Sequence, residues 1–140
     1  MDMDEDIRAG AATGVPLIHE DQVPEIDLPG RHLRWLVNAG GIPAKHASMC
    51  VIRVPPGETV KPAHSHPDGE EIIYILSGTG RVMVEGAVDR VGPGTVVLFP
   101  QGAIHMLQNN GTEEMKVACF FAPAADFGSY RFFDEINFPA

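Results

Sequence analysis

The sequence predicts an all-β protein, a closed or double-sheet architecture, on three observations. Apolar residues gather in eight short runs of strand length, at about residues 32–37, 48–54, 71–76, 80–85, 87–91, 95–99, 104–108 and 115–121. Fifteen glycines and twelve prolines punctuate the chain, and these are residues that reverse a backbone. No segment carries the helical apolar period.

Residues 1–14 are acidic and rich in Ala and Gly, with little to bury, and read as a flexible tail. Residues 15–140 then form one domain, since 140 residues lie within the usual single-domain range. No internal repeat divides them. The run at 71–76 starts after Pro67-Asp68-Gly69, a turn sequence, and ends before Gly78. The run at 95–99 stops at Pro100-Gln101-Gly102, and His105 opens the next strand. Asn110-Gly111, between the last two runs, is the strongest hairpin signal in the chain and predicts a type I′ turn.

The segment 124–140 holds Phe127, Tyr130, Phe132, Phe133 and Phe138, five of the ten aromatic residues. Leaving that surface in water would cost ~25 cal/mol per Å². It docks either on its own barrel or as an arm across a twofold partner, and a homodimer is expected.

Net charge is -9, from nineteen acidic and ten basic side chains, with no Lys/Arg cluster; a nucleic-acid partner is not expected. No apolar stretch approaches the roughly 18 residues of a membrane span, and the acidic N-terminus is unlike a secretory signal. A cytoplasmic protein is therefore expected. Cys50 and Cys119 lie in apolar runs without metal or redox spacing and read as buried reduced thiols, with a disulfide between them left open.

Two clusters carry chemistry. In Ala63-His64-Ser65-His66 the imidazoles are two residues apart, so on an extended strand they face one side. The Pro67-Asp68-Gly69 turn brings the following strand back with a carboxylate, Glu70 or Glu71, towards them. The second cluster runs from Gly94 to Asn109 and holds His105. Histidines and a carboxylate converging from neighbouring strands point to a metal site.

These clusters resemble the paired motifs of the cupin superfamily. The second motif is matched throughout, at Gly94, Pro100, Gly102, His105 and Asn109. The first is matched from His64 to Gly78, while Gly57 stands one residue too far upstream, a slip in the loop before the site. The resemblance covers roughly residues 45–123. It implies a double-stranded β-helix, the jelly-roll barrel, in a single-barrel form. It also implies His64, His66, Glu71 and His105 as metal ligands, the step to Gly78 selecting Glu71 over Glu70.

Three imidazoles and one carboxylate suit one divalent transition metal per chain, Fe or Mn first, then Zn and Ni. Strand alternation places Ile73 and Ile75 on the side of Glu71, and Leu107 and Asn109 on the side of His105. The expected pocket wall is Ile73, Ile75, Phe99, Leu107 and Phe120, with Met49 and Val51 as further candidates. Tyr74 should face away. Glu70, Lys61 and His46 read as surface residues, Asn109 as a turn residue, and Met83 and Met106 as core filling or pocket wall. The expected function is a metal-dependent enzyme on a small oxygen-bearing molecule, by oxygenation, decarboxylation, isomerisation, lyase chemistry or cyclisation. A non-catalytic small-molecule binder or sensor is the alternative, and a storage or structural barrel the third reading. No catalytic acid or base stands out.

Overall fold

The computed structural model describes residues 14–125 and 127–140. The tail expected over residues 1–14 lies outside them except for Gly14. Among the described residues the strands are β1 (Ile26–Leu28), β2 (Arg31–Val37), β3 (Ser48–Val54), β4 (Ala63–Ser65), β5 (Glu70–Ser77), β6 (Gly80–Val84), β7 (Ala87–Val91), β8 (Val96–Phe99), β9 (His105–Gln108), β10 (Met115–Ala122) and β11 (Arg131–Phe133). They form two antiparallel sheets, in the orders β1-β2-β3-β10-β5-β8 and β11-β4-β9-β6-β7. This is the all-β jelly-roll that the sequence implies.

Strand alternation builds the core. Along β5, Glu71, Ile73 and Ile75 are buried while Ile72, Tyr74 and Leu76 are exposed. On β10, which pairs with both β3 and β5, Met115, Val117, Cys119 and Phe121 turn inward. They meet Leu33 and Trp35 of β2, Cys50, Ile52 and Val54 of β3, and Leu107 of β9 between the sheets. The Trp35 and Phe121 rings lie 5.6 Å apart at 46°. A second cluster, Ala63, Met83 and Met106, forms on the outer side of the five-stranded sheet, beneath Phe133, Ile136 and Phe138. Met83 and Met106 therefore fill a core and do not line the cavity between the sheets.

One expectation is corrected, and one choice left open by the sequence is decided. The Asn110-Gly111 hairpin does not form, because β9 and β10 belong to different sheets. The connection is held by Asn109, whose Nδ2 donates to the Val54 and Glu113 carbonyls at 2.8 and 2.7 Å and whose Oδ1 accepts from Gly111 N at 2.9 Å. The tight two-residue turn is Glu85-Gly86, between β6 and β7, where both residues have positive φ, 49° and 82°, as a type I′ turn requires. Glu85 there also accepts the Ile104 N–H at 2.7 Å. The C-terminal segment packs in cis, since β11 pairs with β4 through Phe132 opposite His64.

Candidate metal centre

The site is built where the two sheets face each other. His64 lies on β4, opposite His105 at the start of β9. His66 follows β4, and the turn after it delivers Glu71 on β5, opposite Phe99. All four residues are buried, and each offers one donor atom within 4.8 Å of the other three. Glu70 points outward and is exposed. The three histidines thus come with the five-stranded sheet, the carboxylate with the six-stranded one.

The imidazoles are oriented before any ligand arrives. His64 Nδ1–H donates to the Pro62 carbonyl and His105 Nδ1–H to the Ala103 carbonyl, each at 3.0 Å. A carbonyl can only accept, so both rings carry their proton on Nδ1 and keep the Nε2 lone pair for a cation. Phe99 stacks on His105 with centroids 3.9 Å apart at 11°, and Tyr130 lies parallel to His64 at 5.2 Å and 7°. Burial, then the neighbouring His105, push His64 down to about 3 against the opposite pull of Glu71. Burial alone would raise the Glu71 carboxyl, but the close approach of the His105 and His66 rings outweighs it and holds it at about 2. A neutral imidazole facing an ionised carboxylate is the state that a divalent ion binds.

The residues fit such an ion. Glu71 Oε1 stands 2.9 Å from His66 Nε2 and 3.1 Å from His105 Nε2. With the His105 proton on Nδ1, its Nε2 and this oxygen would oppose two lone pairs, an arrangement that calls for a proton or a metal ion between them. His66 Nδ1 is the buried side-chain polar atom among the described residues that lacks a hydrogen-bond partner. Unlike the other two rings, His66 is thus not fixed by a hydrogen bond at Nδ1.

Three of the donors, His64, Glu71 and His105, line a cavity of ≈ 40 Å³. Ile73, Phe99 and Leu107 line it as expected, and Ile75 is buried in the core without reaching it. Phe120 does not line it: the side chain is 44 % exposed on the outer face, and Phe121 takes the inward position. The same parity sends Met49 and Val51 outward and Cys50 and Ile52 inward. Cys50 and Cys119, both free, face each other across β3 and β10 at the cavity. A hydrogen bond with Cys50 and burial raise the Cys119 thiol well above its usual value.

Arg31 and Tyr130 also line the cavity and escaped the sequence reading. Tyr130 sits edge-on to His66, 4.2 Å between centroids, and burial, then the Glu71 charge, raise its phenol above the usual value. It therefore keeps its proton at neutral pH. Burial lowers the Arg31 pKa, with Tyr130 and Cys119 opposing, yet a guanidinium stays charged in a protein. The aromatic segment was visible in sequence, though not which ring reaches the site. An arginine opening an apolar strand carries no such signal.

The family model for the cupin domain matches residues 50–121, half of the chain. The chain belongs to the cupin family. Among curated proteins, this cupin is 29% identical over 116 residues to endoribonuclease YbeY of Myxococcus xanthus, covering 83% of the chain but only 38% of that protein. Among solved structures it is similar to the polyketide cyclase RemF from Streptomyces resistomycificus, with a TM-score of 0.64 and 22% identity over 75% of this cupin and 77% of that chain. It is also similar to a predicted oxalate decarboxylase from Thermotoga maritima, with a TM-score of 0.69 and 19% identity over 76% and 98% of the two chains. At these identities both likenesses speak for the fold. No helix among the described residues is long and apolar enough to cross a membrane.

Proposed function

We propose that this cupin is a metal-dependent enzyme acting on a small oxygen-bearing organic molecule. The observation that carries the reading is the meeting of four buried donors within 4.8 Å, three of which line a cavity whose other walls are mainly apolar. His64, His66, Glu71 and His105 would hold one Fe or Mn, with Zn and Ni next in order. A divalent ion there would supply Lewis acidity towards a chelating substrate oxygen, or activate water or dioxygen. The chain's own residues do the rest. The Pro62 and Ala103 carbonyls fix two imidazoles, Phe99 and Tyr130 hold their planes, and Ile73, Leu107 and Phe121 exclude water.

Oxygenation, decarboxylation, isomerisation, lyase chemistry and cyclisation all suit this donor set. The cyclase and decarboxylase named among the fold neighbours favour a reaction on an oxygen-rich substrate. The small cavity favours a second reading, a binding or sensor cupin that retains a ligand without turnover. Reduced Cys50 and Cys119 suit a cytoplasmic setting. Association as a homodimer is supported by the bare apolar outer face of β5, β8 and β10.

Elemental analysis of protein purified without chelators, with turnover assays on oxygen-bearing substrates under air, tests the proposal. The expected result is about one ion per chain. It should be lost in both His66→Ala and His105→Ala while the protein stays folded and β-rich, and weakened far more by Glu71→Gln than by Glu70→Gln. Full metal occupancy in both alanine variants would overturn the site. Oxygen consumption with Fe would identify a dioxygenase; Zn or Mn without it would mean Lewis-acid chemistry. Ligand-induced stabilisation without turnover would favour the binding reading.

A further inference from the structure

Arg31 opens β2 and is only 8% exposed. Its Nη1 donates to the Pro29 and Lys61 carbonyls, both at 3.1 Å. Gly30 makes this placement possible: its φ is +80°, and a Cβ there would lie 1.7 Å from the Thr59 carbonyl oxygen. The guanidinium forms no ion pair among the described residues. The ionised carboxylate at the same cavity, Glu71, is already engaged by His66 and His105. A buried cation without an anion is costly, and the N–H groups on Nε and Nη2, which border open space, have no acceptor among the described residues.

Arg31 belongs to two walls at once. It lines the inner cavity with His64, Glu71 and His105, and it lines an outer groove of ≈ 460 Å³ with Leu28, Lys61, Pro62, Phe132 and Asp134. The inner cavity, at ≈ 40 Å³, has room for about three waters, hence for a carboxylate-sized group. The outer groove falls within the usual range of small-molecule sites, so the body of a ligand belongs there.

We propose that Arg31 is a carboxylate anchor: its free N–H fork pairs with the carboxylate of a small organic acid while the apolar body lies against Leu28, Pro62 and Phe132. A planar carboxylate accepts two parallel guanidinium N–H bonds at once, and acids with an apolar body suit the groove's walls. Lys61 and Asp134 on the groove offset each other, and the remaining walls are apolar, so the ligand is a carboxylate with an apolar body. The inference deepens the functional reading above and rests on it for which end of the ligand is presented to the reacting centre. The pairing itself does not need the ion.

Calorimetric titration with acetate and benzoate, and with acetamide and benzamide as neutral isosteres, tests it on protein as purified, with metal content measured on the same samples. The wild type should prefer benzoate to benzamide, and Arg31→Gln should lose about tenfold to a hundredfold of that preference with metal content unchanged. His66→Ala, without the ion, should keep the preference. Should Arg31→Gln fail to fold, Arg31→Lys carries the test, because it keeps the charge and loses the fork; carboxylate binding should weaken about tenfold with amide binding unchanged. Equal binding of acid and amide by the wild type overturns the proposal. So does a preference that survives in the Arg31 variants and disappears with His66→Ala, since the anion is then held by the ion. A metal-free wild type that still discriminates through Arg31 would sink the metal reading and leave the anchor standing.

Discussion

On the outer side of the five-stranded sheet, Ala63, Met83 and Met106 are buried beneath Phe133, Ile136 and Phe138 of the C-terminal segment, whereas on the six-stranded sheet Ile72, Tyr74, Leu76, Val96, Leu98 and Phe120 stand exposed. Neither face is a misplaced core, because the inward set on each strand is buried as alternation requires. Both sheets have apolar residues on two sides, and the described chain covers one of them. The bare face is itself divided. Over β2 and β3 it carries an ionic network, in which Arg53 bonds Glu25 and Glu114, each at 2.6 Å, and Arg34 reaches Glu25 at 3.4 Å. Over β5 and β8, beyond Glu70 at the start of β5, it carries mainly apolar side chains and a free strand edge, the kind of surface that pairs with another copy.

Removing the cover is the strongest way to break this contrast. Truncation after Ser129 deletes β11 together with Phe133, Ile136 and Phe138, and should cost on the order of 5 kcal/mol, from three large side chains at about 1.5–3 kcal/mol each. A thermal melt would read this as a large fall in Tm or as aggregation. A truncated protein that melts within about 2 °C of the full chain would show that the segment covers nothing of consequence.

Placing a charge on the bare face comes next. Leu98→Lys, on edge strand β8, should convert a dimer to a monomer in light scattering, while changing the stability of the folded monomer by no more than about 0.5 kcal/mol. An unchanged particle mass would locate any association elsewhere. The polar half should give the smallest effect. Arg53, through its hydrogen bond, holds the Glu25 carboxyl at about 2, against the usual 4.5. Since the folded value lies below the unfolded one, this stabilisation is present above about pH 4.5 and lost as pH falls towards 2. Glu25→Gln should therefore lower stability at neutral pH by less than about 1 kcal/mol and flatten the acid limb, the two proteins converging near pH 2. Parallel acid limbs would mean that the network contributes nothing.

The fold class and the four donors were legible because both rest on short-range rules. Alternation and turn residues mark strands, and two imidazoles two apart on a strand followed by a turn leave few other uses. β4 carries one of those donors and leads into a second, yet it is not among the apolar runs, because Ala63-His64-Ser65 is not one. Asn110-Gly111 misled because the signal for a tight turn is local, while the sheet to which the next strand belongs is decided by long-range packing. Phe120 and Phe121 are adjacent and equally apolar; only the pairing of Cys119 with Cys50 sets which one enters. Arg31 was out of reach for the same reason. Its surroundings come from residues 29 to 61 and from Tyr130, which meet only in three dimensions.

The facing thiols of Cys50 and Cys119 give the cavity a built-in gauge. Both sulfurs border the same space as the metal donors, so an alkylating reagent must occupy the ligand's own volume to reach them. With the Cys119 thiol held protonated by Cys50 and by burial, the chemistry is slow at neutral pH. The labelling rate then reports how often that volume stands open, and a bound ligand of any kind registers as protection.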